Sequence, residues 1–336
     1  MKAVQFIRNS SEDGSAIDID LPRPSASGRD ILVQVESIAM NPVDYKVRPN
    51  DGDDPKIVGF DAAGTVVETG EDVTLFEVGD LVYYAGDVTR PGTNAELQLV
   101  DERIVAKQPV SLDAPASASL PLTSLTAWES LFDRLEINPG TPEENRGGSI
   151  LIIGGAGGVG SIAIQLAKLA GLTVVATASR EESADWCRKL GADHIINHHE
   201  NMPSQLEEVG LNTVDYIANF NEVDRVWKAM ADMIAPQGNI VLITGHQDHI
   251  DLGGTFKLKS ARICWEFMFT RSMYQTDDMI EQHHILRKVA KLIDSGKIIA
   301  TANDSLSPIN AANILEGHRR LESGTTIGKL TLSGWE

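Results

Sequence analysis

The residues best placed to do chemistry lie in one stretch, residues 149–168, where an apolar run feeds a glycine-dense turn that opens into an amphipathic segment. Gly155, Gly157 and Gly160 keep the G-x-G-x-x-G spacing. In that pattern one glycine allows a tight turn, one lets the backbone approach a pyrophosphate, and one lets a helix pack on a strand. Ile150–Ile153 reads as a buried parallel strand, and Ile162, Leu166 and Leu169 recur at helical spacing, so the strand-turn-helix context is present. Gly155, Ala156, Gly157, Gly158 and Val159 are therefore the expected phosphate-binding residues.

A second informative point is the end of the next apolar run, Ala178-Ser-Arg-Glu-Glu182. An acidic residue at that strand tip would bond a ribose 2′-hydroxyl, whereas a hydroxyl followed by arginine suits a 2′-phosphate. Ser179 and Arg180 point to NADPH, and Glu181 one step later keeps NADH possible.

The elements that position these residues follow from hydrophobic period. Residues 2–7 and 17–20 read as strands joined by a polar turn over 9–14, and strand signals continue at 31–36, 63–68, 81–84 and 95–100, which suggests a small barrel or sandwich. Helical spacing begins near Ala114 and runs from Ser119 to Leu135. Beyond the cradle, apolar runs at 173–178, 194–196, 214–217 and 239–244 alternate with helices near 181–190 and 223–234, the pattern of a doubly wound parallel sheet. After about residue 268 come a long helix ending near 294–296, a strand at 298–302, a helix at 308–322 and a strand at 329–332.

Bulk properties narrow the class. A chain of 336 residues with 42% hydrophobic residues is long enough for two globular domains. A formal net charge of −19 argues against nucleic-acid or anionic-membrane partners, whose binding rests on Lys and Arg. No apolar run has membrane-spanning length and the amino-terminal segment does not read as a signal peptide, so a cytoplasmic location is expected. Cys187 and Cys264 cannot build a disulfide framework or a cysteine-rich zinc module.

Several stretches together resemble the medium-chain dehydrogenase/reductase superfamily, close to the NADPH:quinone oxidoreductases. They are Met40-Asn-Pro-Val-Asp44, Gly59-Phe-Asp-Ala-Ala-Gly64, Leu125-Thr-Ala-Trp128, the cradle with Gln165 and Lys168, and 190–197. The resemblance spans essentially the whole chain. It implies an α/β fold in which a Rossmann doubly wound parallel sheet (125–267) is inserted in a β-rich GroES-like catalytic domain (1–124 with 268–336), and a homodimer.

It also implies site residues. Asn41 and Thr126 would lie near the nicotinamide and its ribose, with Phe220 and Asn221 at the same end. Gly245 and Phe267, the latter within the 267–269 stretch, are expected at the nicotinamide pocket, and Lys329 at its closure. His198 stands where quinone reductases often carry a tyrosine near the 2′-phosphate, and Ser183 replaces their usual lysine.

Zinc enzymes of the superfamily place a cysteine where this chain has Asn41-Pro42, and a Gly-His-Glu where it has Gly59-Phe-Asp61. Phe60 cannot coordinate, and four clustered cysteines for a structural site are absent. The expectation is therefore no zinc, His246 and His249 being read as a solvated pair. Without a Lewis acid, hydride delivery to an electrophilic quinone or α,β-unsaturated carbonyl is the chemistry left, with Asn41, Tyr45 or Tyr84 supplying polar groups at the reaction centre. Asp44 reads as a turn cap after Pro42. Two other readings stand beside this one: a zinc-dependent alcohol dehydrogenase, and a catalytically quiet nucleotide-binding sensor or crystallin-like protein.

Overall fold

The computed structural model describes residues 1–10, 15–246 and 250–335. The residues expected in the polar turn at 11–14, and His249, lie outside them. The chain divides into two compact units, Met1–Leu125 with Phe269–Glu336, and Thr126–Met268.

The first unit is a β-rich body. Its largest sheet among the described residues runs in the order 302–306, 329–333, 30–39, 62–69, 81–84, 105–107, with Leu97–Asp101 pairing Asp30–Ala39 off that path. Burial suits this central place: Ile31, Leu32, Val33, Val35 and Ile38 are all buried along Asp30–Ala39, and only Gln34 and Glu36 are exposed. Lys2–Phe6 and Ala16–Asp20 form a separate antiparallel pair.

The strand before the last of this unit departs from expectation. The sheet takes the polar stretch Ala302–Leu306, not 298–302, because Ala302–Leu306 pairs in parallel with Lys329–Ser333 while Ile298 is buried ahead of the strand. The final helix, Ala311–Glu322, starts after Asn310, whose side chain accepts from Asn313 N.

The second unit is a six-stranded all-parallel sheet, in the order 194–196, 173–177, 149–153, 214–219, 234–242, 262–265. Ser149–Ile153 sits centrally and is buried throughout, as a strand covered on both faces must be. The strand order reverses between Ser149–Ile153 and Val214–Asn219, the switch point at which such sheets bind ligands beyond their carboxyl ends. Two helices deviate from the hydrophobic pattern. The one expected over 223–234 begins only at Trp227, and the 119–135 segment breaks into Pro121–Trp128 followed by a π-helix, Glu129–Arg134.

Candidate active site

In the parallel-sheet unit the glycine turn is built by the strand beside it. Gly154 N donates to Thr177 Oγ1 at 3.0 Å and Gly155 N to Thr177 O at 3.3 Å, so the end of Thr173–Thr177 holds the turn's entry. A Cβ on Gly160 would lie 2.2 Å from Gly154 O, and one on Gly155 would lie 2.9 Å from Ala176 Cβ. Neither position has room for a side chain. Gly157 caps the helix Gly158–Leu169, whose first backbone N–H groups carry the positive end of the helix dipole. Ala156, Gly157, Gly158 and Val159 are partly exposed there, the accessibility a bound phosphate needs.

The neighbouring strand tips gather the other expected nucleotide residues. Ala178 N donates to Ile196 O at 3.0 Å, which sets the 179–180 segment beside the 197–199 segment. Ser179 and Arg180 are exposed. Ser183 proves to be a helix-start residue, its hydroxyl donating to Arg180 O at 2.8 Å and accepting from Arg180 N at 3.2 Å. The His198 ring lies 4.4 Å from that of His199, whose Nδ1 contacts Arg225. Burial first, then His199 and Arg225, hold the His198 imidazole below its ordinary pKa. Arg225 thus belongs to this rim, although nothing in its local sequence marks it.

At the other side of the switch point, Phe220 N donates to Ile153 O at 3.0 Å and Thr244 Oγ1 to Asn221 O at 2.7 Å. These bonds tie the 220–221 and 244–245 loops near the turn. Gly245 is exposed with open space around its Cβ position, Phe267 is also exposed, and Thr126 is buried.

In the β-rich unit the expected residues form a different kind of site. Asn41 caps the short helix Pro42–Lys46, and Asp44 Oδ2 accepts from Asn41 N at 2.8 Å, which is the capping role read from the sequence. The Asn41 amide is fully engaged. Its Nδ2 donates to Phe60 O at 2.9 Å and to Asp61 Oδ2 at 2.8 Å. Its Oδ1 accepts from Lys329 Nζ at 2.5 Å, and the same ammonium donates to Met40 O and Asp61 Oδ2, both at 2.8 Å. Asp61 Oδ1 accepts from Leu122 N at 2.7 Å. Asn41, Asp44, Asp61 and Lys329 are exposed by 1%, 2%, 0% and 3%.

Asn41 and Lys329 are each other's partners inside the unit, so neither stands as a free polar group. Tyr84 is fully buried and its hydroxyl reaches no hydrogen-bond partner among the described residues; burial raises its pKa. The Tyr45 ring turns to Arg48, 5.9 Å away, and to His318, 6.4 Å away. Asp61 is the residue that sequence reasoning undervalued. An aspartate set between Phe60 and Ala62 in an apolar stretch signals a paired, buried carboxylate.

The donor set bears directly on a metal. Phe60 packs edge-on against Phe269, with ring centroids 5.2 Å apart. The oxygens of Met40, Asn41 and Asp61 already surround a cation, the Lys329 ammonium, which uses all three of its N–H groups on them. A divalent ion would have to expel that ammonium and would find no imidazole or thiolate in its place. These residues do not fit a catalytic zinc. Among the described residues no group of three or more His, Cys, Asp or Glu side chains could hold a metal ion.

Known proteins match in the same two parts. The model of the alcohol dehydrogenase GroES-like domain matches residues 27–110, and that of the zinc-binding dehydrogenases matches residues 158–282. A zinc-type alcohol dehydrogenase-like protein of Staphylococcus aureus is 44% identical over 324 residues, covering 96% of each chain.

The chain belongs to the medium-chain dehydrogenase/reductase superfamily.

Within it, a crystal structure of a Rhizobium etli protein provisionally assigned as a zinc-dependent alcohol dehydrogenase superposes with a TM-score of 0.92. It is 46% identical and covers 100% of this chain and 98% of its own. The 2-methylene-furan-3-one reductase of Solanum lycopersicum is 28% identical over 99% of this chain and 79% of its own. The shared fold is a GroES-like domain joined to a parallel Rossmann sheet, and the chain is an oxidoreductase of this superfamily.

Proposed function

We propose that this chain is an NADPH-dependent reductase that passes hydride to quinones or α,β-unsaturated carbonyls without a metal. The observation that carries the metal-free part is the Lys329 ammonium seated among Met40 O, Asn41 Oδ1 and Asp61 Oδ2. The cofactor, when bound, supplies the hydride. The chain's own contribution is positioning. The backbone N–H groups after Gly157 would take the pyrophosphate, and Ser179 and Arg180, with His198 beside them, would take the 2′-phosphate. Phe220, Asn221 and Gly245 would border the nicotinamide end.

An electrophile already polarised by conjugation needs orientation and an oxyanion partner more than a Lewis acid. The tomato relative, a reductase named for a methylene-furanone, is in keeping with that substrate class. A homodimer and a cytoplasmic location belong to the same proposal; no helix among the described residues is long and apolar enough to cross a membrane.

Titration of NADPH fluorescence, with turnover measured on a panel of quinones and enones before and after dialysis against a chelator, tests the proposal. Saturable binding and chelator-insensitive turnover are expected. About one zinc per chain, with activity lost on its removal, would instead establish the zinc-dependent dehydrogenase. Tight binding with no turnover on any electrophile would leave a nucleotide-binding sensor.

A further inference from the structure

The cluster around Lys329 holds two carboxylates and one ammonium, all buried. Asp61 is the ammonium's direct partner at 2.8 Å. Asp44 has no such partner: its Oδ2 accepts Asn41 N, and its Oδ1 is buried with no hydrogen bond. The other ionisable groups facing Asp44 are committed elsewhere. Arg48 is buried, donates through Nε to His318 Nδ1 at 3.1 Å, and pairs with Glu322 at 3.3 Å. His318 accepts that bond as a neutral ring, its pKa pushed down to about 3 by burial and then by Arg48. Tyr45, partly buried, is raised by burial and Glu322 and stays a neutral phenol. With both carboxylates ionised, the Asp44–Asp61–Lys329 group would carry an uncompensated buried negative charge, which burial makes strongly unfavourable.

We propose that Asp44 and Asp61 hold one proton between them, carried by Asp44, and that Asp44 is thereby a positioning residue whose charge state governs how Asn41 and Lys329 are held. The consequence for hydride transfer rests on the reductase reading above; the proton itself does not. Burial is the main influence on Asp44 and, against the pull of the Asn41 N–H and Lys329, brings its carboxyl up to about 7. Asp61 is raised by burial as well, but Lys329 and Asn41 both bond its charged form, so the proton goes to Asp44. Because the folded pKa lies above the unfolded value of 3.8, the native state binds the extra proton between these limits. Stability from this group is therefore full below about pH 4, declines as pH rises, and is gone above about pH 7.

Infrared difference spectra of the unmodified protein between about pH 5.5 and about pH 8.5 read the proton directly. A protonated-carboxyl C=O band that is lost with a midpoint near 7, and is absent from Asp44→Asn, is expected; no such band, or one that survives in Asp44→Asn, overturns the proposal. The melting temperature of Asp44→Asn relative to the unmodified protein should rise by about 3 °C or more across the same pH span, and a flat difference counts against it. For positioning, kcat with NADPH should show an inflection near 7 that Asp44→Asn removes while the Kd for NADPH is unchanged. An inflection retained in the variant overturns the positioning role. Should Asp44→Asn fail to fold, the infrared band of the unmodified protein still decides whether the proton is there. A titrating band in a protein that turns over no electrophile would overturn the reductase reading and leave the proton in place.

Discussion

The glycine cradle and the Lys329 cluster handle charge in opposite ways. The cradle, residues 154–160, presents backbone N–H groups and a helix dipole to an anion that arrives from solvent, and its own side chains are nearly all absent. The cluster, drawn from residues 41, 44, 61 and 329, holds a buried ammonium of its own, with every ammonium N–H already bonded. One region is an open turn of backbone N–H groups, and the other is a cluster whose polar groups are already matched to one another. A buried ion pair that is removed by halves leaves an unpaired charge, whereas a cradle that is altered loses only geometry. The two regions should therefore fail differently.

The largest effect is expected at the cluster. Lys329→Ala leaves Asp61 buried without its partner and should lower unfolding free energy by about 3–5 kcal/mol in urea denaturation. Lys329→Met combined with Asp61→Asn should recover part of that loss, and additivity of the two changes would show that the pair is not coupled. At the cradle, Gly160→Ala drives a methyl onto Gly154 O, 2.2 Å away. A loss of about 1–3 kcal/mol together with abolished NADPH binding is expected, and an unchanged Kd by calorimetry would refute the packing role assigned to Gly160.

A smaller and more selective effect belongs to the strand tip. Arg180→Glu should weaken NADPH about 10-fold or more while NADH changes little, since a charged hydrogen bond contributes about 1.5–3 kcal/mol; equal weakening of both would remove the 2′-phosphate assignment. The smallest effect is at Tyr84. Its hydroxyl is buried without a hydrogen-bond partner among the described residues, so Tyr84→Phe should leave kcat unchanged and stability equal or slightly higher. A fall in kcat of about 100-fold, the scale of a lost general acid, would return Tyr84 to the reaction centre.

The same contrast explains what could be read in advance. The cradle is local: strand, turn and helix are contiguous, and each glycine's steric reason acts within a few residues of it. The parallel alternation is legible for the same cause, since a strand such as Ser149–Ile153, buried on both faces, is apolar from Ile150 to Ile153. The misplaced strand at 298–302 shows the limit. Ala302–Leu306 is polar and mostly exposed, so its hydrogen bonding to Lys329–Ser333 leaves no mark in hydrophobic period. Arg225, which meets His199 across 26 residues, and Tyr45, which turns to His318 across hundreds, are cases of the same kind.

By itself the sequence determined the superfamily's architecture, the dinucleotide turn, and the loss of cysteine and histidine at 41 and 60, because these depend on residue type and short spacing. Only the tertiary structure decided what stands in their stead. Asn41 and Lys329 lie 288 residues apart and meet at 2.5 Å. No local pattern could show that the ammonium would fill the space among three oxygens, since burial and partner are properties of the folded chain, and burial is what makes a charge's partner obligatory.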